Sequence, residues 1–143
     1  MGQTPPEPVR LIIIPPNIFD SMVAHCIESQ PNEACGILAG RGITVSEIFR
    51  MTNIKLSSVS YLMDPAEQFA MMKELREKFL AMIAIYHSHP CGPAVPSSLD
   101  IEQACYEDAV HVIVSLAEGD TIVKAFSITG GKTSEVGITV EPQ

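Results

Sequence analysis

The chain has 143 residues, of which 46% are hydrophobic and 18% charged. That is the profile of one globular domain with a real core, and it excludes a disordered chain. A formal net charge of −8 with no basic cluster argues against nucleic acid as a partner and for action on another protein or a small molecule.

The elements follow in chain order. Residues 1–8 are Pro-rich and polar and read as a loose tail, leaving 9–143 as the domain. Residues 9–14 are apolar and β-branched, a strand that Pro15-Pro16 stops while opening a helix. Phe19, Val23 and Cys26 then recur at helical spacing, until Gln30-Pro31-Asn32 ends that helix. Residues 35–39 and 43–51 flank the turn Gly40-Arg41-Gly42 and predict a hairpin. Residues 53–60 are a serine-rich loop. Asp64 and Pro65 start a second helix as N-cap and first residue, with Phe69, Met72, Leu75 and Phe79 as its apolar stripe and Met71-Met72 as core filling. Residues 82–89 read as a buried strand, 91–96 as a loop and 98–107 as a helix. Three strands follow, over 110–116, 121–128 and 132–140, separated by Glu118-Gly119-Asp120 and Gly130-Gly131. The order β-α-β-β-α-β-α-β-β-β, with no internal repeat, predicts a single α/β domain: a mixed sheet flanked by helices.

No apolar run approaches the roughly 20 residues of a membrane span. The N-terminus shows no signal-peptide pattern. The four cysteines, Cys26, Cys35, Cys91 and Cys105, form no C-x-x-C pair. They read as reduced thiols, which points to a cytoplasmic protein with no membrane partner; a bridge between Cys91 and Cys105 stays open.

The chemistry lies in His87-Ser88-His89-Pro90, a loop, and Ser97-Ser98-Leu99-Asp100. Residues two apart on a strand share a face, so His87 and His89 project together from a strand end, while Ser88 faces the other way in a packing role. Asp100, in the first turn of the next helix, can fold back over them. Two imidazoles and one carboxylate suit a zinc ion with an open fourth position for water; the same set also describes a non-haem iron site. Ser97-x-x-Asp100 is equally a helix capping box, which needs no metal, and Ser98 could serve as the cap instead. A water attacking at such a site needs a base, and Glu33, just before an apolar strand, is the candidate. His25 and His111 match no ligand spacing and read as structural or surface residues.

Glu33 in the run 31–36, followed by H-S-H-P-x6-S-x2-D from His87 to Asp100, resembles the JAMM/MPN+ (JAB) metalloprotease signature. The resemblance covers most of the chain and is closest to the compact prokaryotic members. It implies a fold related to cytidine deaminases, although the deaminase motif itself is absent. It implies Zn2+ on His87, His89 and Asp100, with Glu33 as acid/base and Ser97 stabilising the oxyanion. It also implies a peptidase or isopeptidase acting at the C-terminal Gly-Gly of a ubiquitin-like or sulfur-carrier protein. Two other functions stay open: a non-catalytic scaffold module without stoichiometric zinc, and a zinc hydrolase of a small-molecule amide. The residues leave the oligomeric state open, a homodimer included.

Overall fold

A computed structural model describes residues 10–104 and 109–142. The tail expected over 1–8, the end of the helix expected over 98–107, and Cys105 therefore lie outside the described residues in whole or in part. The strands are β1 (Leu11–Ile14), β2 (Cys35–Arg41), β3 (Thr44–Met51), β4 (Ala81–His89), β5 (Val110–Glu118), β6 (Asp120–Thr129) and β7 (Lys132–Val140). The helices are α1 (Pro16–Ser29), α2 (Pro65–Lys78) and α3 (Ser98–Glu102). Their order is the expected one.

The sheet is mixed, as expected. It runs β1-β3-β2-β4-β5-β6-β7 and closes on itself, a closure that the local sequence pattern does not announce. The join is made by β1, which pairs in parallel with β7 from Leu11↔Gly137 to Ile14↔Val140 and touches β3 at Ile13↔Thr44. The join to β3 is that one pair, so among the described residues β3 from Val45 to Met51 is paired on its β2 side alone.

Two apolar clusters lie on opposite faces of the central strands. One joins Ile18, Met22 and Cys26 of α1 to Leu38, Ala84, Tyr86, Val112 and Val114. The other joins Met71 and Leu75 of α2 to Cys35, Ile37, Met51 and Ile85. Covered on both faces, β4 is apolar from Ala81 to Tyr86 rather than alternating. Its neighbours in the order still divide between the faces: Ala84 and Tyr86 turn toward α1, Ile85 toward α2.

Two expected helical stripes shift in register. In α1 the fully buried face is Ile18, Met22 and Cys26; Phe19 packs against it only in part, and Val23 is half-buried. In α2 the buried pair is Met71 and Leu75, whereas Phe69 is 74% exposed, Met72 47% and Phe79 85%. One i,i+4 pair suffices to seat α2 on the sheet. Phe79 is already past the helix, in a left-handed C-cap at φ 55, so the helical period no longer carries it. Asp64 caps α2 as expected, accepting from the Ala66 N–H at 2.8 Å.

Gly36 on β2 lies opposite Tyr86 on β4, and a Cβ at Gly36 would overlap the tyrosine ring. That ring is fully buried, and its hydroxyl bonds His25 Nδ1 at 2.6 Å. Burial depresses the His25 pKa, so the imidazole is neutral and Tyr86 O–H donates to it. Gly36→Ala is expected to cost about 1–3 kcal/mol by overpacking. It would appear as a lower midpoint in chemical denaturation with an unchanged slope.

Candidate metal centre and active site

The β4-α3-β5 unit builds the site at the C-terminal end of β4, where parallel α/β units commonly place ligands. His87 and His89 share the face of Ile85 by strand alternation, and both are buried. The antiparallel register of β2 on β4 pairs Cys35 with His87. Extending it by two residues sets Glu33 beside His89 on the same face. This is why a glutamate 54 residues upstream of His87 reaches the histidines.

His87 Nε2 and His89 Nε2 are 3.1 Å apart, and Asp100 Oδ2 lies 3.1 Å from the first and 3.0 Å from the second. Around a metal with bonds of 2.0–2.1 Å, a tetrahedral triangle has edges of about 3.3 Å. The three atoms thus already form the base of such a polyhedron, and they are the one three-ligand group found among the described residues. His89 Nδ1 donates to the Pro93 carbonyl at 2.8 Å, which leaves the Nε2 lone pair for a ligand. Lone pairs facing one another at 3 Å require a proton or a cation among them. The donor set suits zinc.

Asp100 serves two structures at once. The Ser97 N–H donates to Asp100 Oδ2 at 2.9 Å, and Ser97 Oγ accepts from the Asp100 N–H at 3.1 Å. The capping-box reading is therefore correct, with Ser97 rather than Ser98 as the cap, and it leaves Asp100 Oδ2 facing both histidines. The accepting bond leaves the Ser97 hydroxyl hydrogen free to be donated.

Burial alone would raise the Asp100 carboxyl, but hydrogen bonds from His87 and His89, the charge of His87 and the Ser97 amide hold it far below the usual range. Burial depresses His87 against the pull of Asp100. Burial also opposes the charge on His89, yet Asp100 and the Pro93 carbonyl outweigh it and raise that imidazole. Glu33 is only 4% exposed. Burial pushes its carboxyl up to about 7, helped by the charge of Asp100 and opposed by His89. Its Oε1 has no hydrogen-bond partner, a cost that stability alone does not explain.

The raised Glu33 pKa has a thermodynamic consequence. From about pH 4.5 to about 7, the folded chain keeps a proton that the unfolded chain has released, so stability falls as pH rises through that window. A glutamine has no such loss. Metal-free Glu33→Gln should therefore melt above the metal-free parent at pH 8, with the gap closing toward pH 4, as read by thermal denaturation.

Two cavities flank the donor triangle. One, of about 320 Å³, is lined by Glu33, His89 and Ser97 together with Val59, Pro93 and Val95. The other, of about 340 Å³, is lined by His87, Asp100, Tyr61, Leu62, Lys55 and His111. The structure thus brings together all five residues singled out in the sequence. His25 is structural, as expected. His111 is buried and lines the second cavity, and its Nε2 lacks a partner.

Sequence reasoning missed three supports. Ser88 does more than pack: its Oγ accepts from the Ala34 N–H at 2.8 Å, and its own N–H donates to the Ala34 carbonyl at 3.1 Å. It ties the ligand strand to the residue after Glu33. A polar residue facing the core between two ligands was the signal for such a bond. Tyr61 stacks on the His87 ring at 4.9 Å and 30°. Asn53 is buried in the loop expected to be merely polar. Cys26, Cys35 and Cys91 are free thiols. No described helix is long and apolar enough to cross a membrane.

The family model for prokaryotic homologs of the JAB domain matches residues 15–129. The chain belongs to this family. It is 32% identical over 138 residues to the CysO-cysteine peptidase of Mycobacterium tuberculosis, covering 94% of each chain. It is 33% identical over 131 residues to the "probable TtuB-protein conjugate cleaving protease" of Thermus thermophilus, covering 91% of this chain and 83% of that one. A solution structure of a Desulfitobacterium hafniense protein superposes with a TM-score of 0.84 at 33% identity, covering 92% and 94%.

Proposed function

We propose that this chain is a zinc-dependent peptidase or isopeptidase that cleaves after the C-terminal Gly-Gly of a ubiquitin-like protein of the sulfur-carrier kind. The observation that carries this reading is the donor triangle of His87, His89 and Asp100 with Glu33 and Ser97 in the wall of one adjoining cavity. The names of the relatives in Mycobacterium tuberculosis and Thermus thermophilus, one a peptidase and one a protease that cleaves a protein conjugate, support the substrate class.

His87, His89 and Asp100 would hold the ion. Zinc there supplies positive charge to the scissile carbonyl oxygen and makes the attacking water more acidic. Glu33 accepts the proton of that water and passes it to the leaving amine; a carboxyl raised to about 7 is matched to both halves of the task. The Ser97 hydroxyl donates to the oxygen on which negative charge develops. Glu33 itself is buried, so little bulk water reaches its carboxyl.

An exposed apolar rim favours a protein substrate over a small amide. Leu56 is 72% exposed and Val59 73%, and Ile54, Leu62 and Val95 are also exposed. Val59, Val95 and Leu62 line the two cavities. Apolar groups clustered at the mouth of a site mark a surface that another protein covers.

Zinc-loaded protein incubated with ubiquitin-like carriers extended beyond Gly-Gly should release the extension, read by intact mass. Unchanged masses across a broad panel, with small amides hydrolysed, would transfer the site to the small-molecule reading. Purified protein without stoichiometric zinc would leave only the scaffold.

A further inference from the structure

The Glu33 carboxylate is not aimed by hydrogen bonds at both of its oxygens, because Oε1 has no partner. Its position comes from the backbone that carries it. The Glu33 N–H donates to the Ser57 carbonyl at 2.8 Å. The Glu33 carbonyl accepts from Asn53 Nδ2 at 3.0 Å. The same Nδ2 donates to the Ser60 carbonyl at 3.1 Å, while Asn53 Oδ1 accepts from the N–H groups of Lys55 and Leu62, both at 3.1 Å.

Asn53 is 8% exposed, and all four hydrogen-bonding positions of its amide are used. Two carbonyls on one side and two N–H groups on the other leave no ambiguity between its oxygen and nitrogen. One side chain thus joins the peptide of Glu33 to the loop between β3 and α2. Residues of that loop wall both cavities: Ser58 and Val59 the first, Lys55, Tyr61 and Leu62 the second.

We propose that Asn53 is a positioning residue for the reaction: it holds the Glu33 peptide so that the carboxylate stands at the donor triangle. The inference rests on Glu33 being the base. Asn53 neither lines the cavities nor carries a titratable group, so it acts through Glu33. Displacing a reacting group by about 1 Å can cost about 100-fold in rate.

Asn53→Asp separates the two halves of the amide. It keeps the acceptor for Lys55 and Leu62, which holds the loop, and loses both donors, including the one to Glu33. On a ubiquitin-like carrier extended by a short peptide after Gly-Gly, the zinc-loaded variant should show kcat lowered about 10–100-fold. KM should stay within about threefold of the parent, with zinc content and circular dichroism unchanged, since His87, His89 and Asp100 are held by β4 and the α3 cap and the loop keeps its bonds to Asn53 Oδ1. In a Glu33→Ala background the same substitution should add less than about threefold, because residues that act as a unit are not additive.

An unchanged kcat, a raised KM with kcat preserved, or full additivity with Glu33→Ala would overturn the proposal. If Asn53→Asp does not fold, Asn53→Ala introduces no buried charge and carries the kcat and additivity tests. Full activity of Glu33→Ala, or no turnover by the parent, would overturn the underlying reading as well. An inactive Glu33→Ala beside a normal Asn53→Asp would remove the role of Asn53 alone.

Discussion

Glu33→Ala is expected to bind zinc at the parent's stoichiometry and to lose about 100- to 10,000-fold in kcat. The two halves of that result come from different parts of the structure. Metal retention follows because the donor atoms belong to His87, His89 and Asp100, whose positions are set by β4 and by the α3 cap. The loss of rate follows because, among the described residues, only two carboxyl groups line the cavities beside the triangle, Glu33 and Asp100, and the second is already engaged. Asp100 is engaged by two histidines and an amide, and His89 by the Pro93 carbonyl. A carboxyl raised to about 7 by burial holds and releases a proton near neutrality, which no ordinary surface carboxylate does. Metal analysis beside steady-state kinetics checks both halves, and full activity in this variant would end the assignment of Glu33.

The second large effect belongs to the ligands. His89→Ala should abolish stoichiometric zinc binding and, with it, activity down to the uncatalysed background. Two ligands do not hold a zinc ion against solvent as three do. Loss of the ring also frees the Pro93 carbonyl that it engages and leaves Asp100 with one histidine instead of two. Chelation of the parent should reproduce the kinetic defect reversibly, with activity returning on added zinc, whereas His89→Ala should not respond to zinc at equal concentration. Zinc retained at one equivalent in this variant would contradict the three-ligand site.

The elements could be read from the sequence because each is bounded by residues that end it locally. Pro15-Pro16, Gly40-Arg41-Gly42, Asp64-Pro65 and Gly130-Gly131 act on the backbone at their own positions. The meeting of the three candidate ligands was legible for the same reason: alternation along one strand sets His87 and His89 side by side, and the cap places Asp100. The closure of the sheet was not legible, since Leu11 meets Gly137 from the opposite end of the chain. The α2 stripe was misread because apolar residues outnumber the contacts that α2 makes. Met71 and Leu75 meet the sheet, while Phe69 and Met72 had equal claim by composition and lie outside. Asn53 left no signal, for a buried asparagine and a solvated one look alike among serines.

The pairing of β2 with β4 is regular at the site and irregular at its far end. Register shifts fall between Leu38 and Ala39 against β4, and between Ala39 and Gly40 against β3. The two ends of β2 should therefore differ in their tolerance of a change in chain length. A residue added near Gly40-Arg41-Gly42 enters a stretch where the ladder already slips, next to an exposed turn. A residue added between Glu33 and Cys35 changes parity: the carboxylate would turn to the α1 face while both histidines stayed where they are. The distance in sequence from base to first ligand is thus free to drift through loops and helices. The count between Glu33 and the first paired residue of β2 is not.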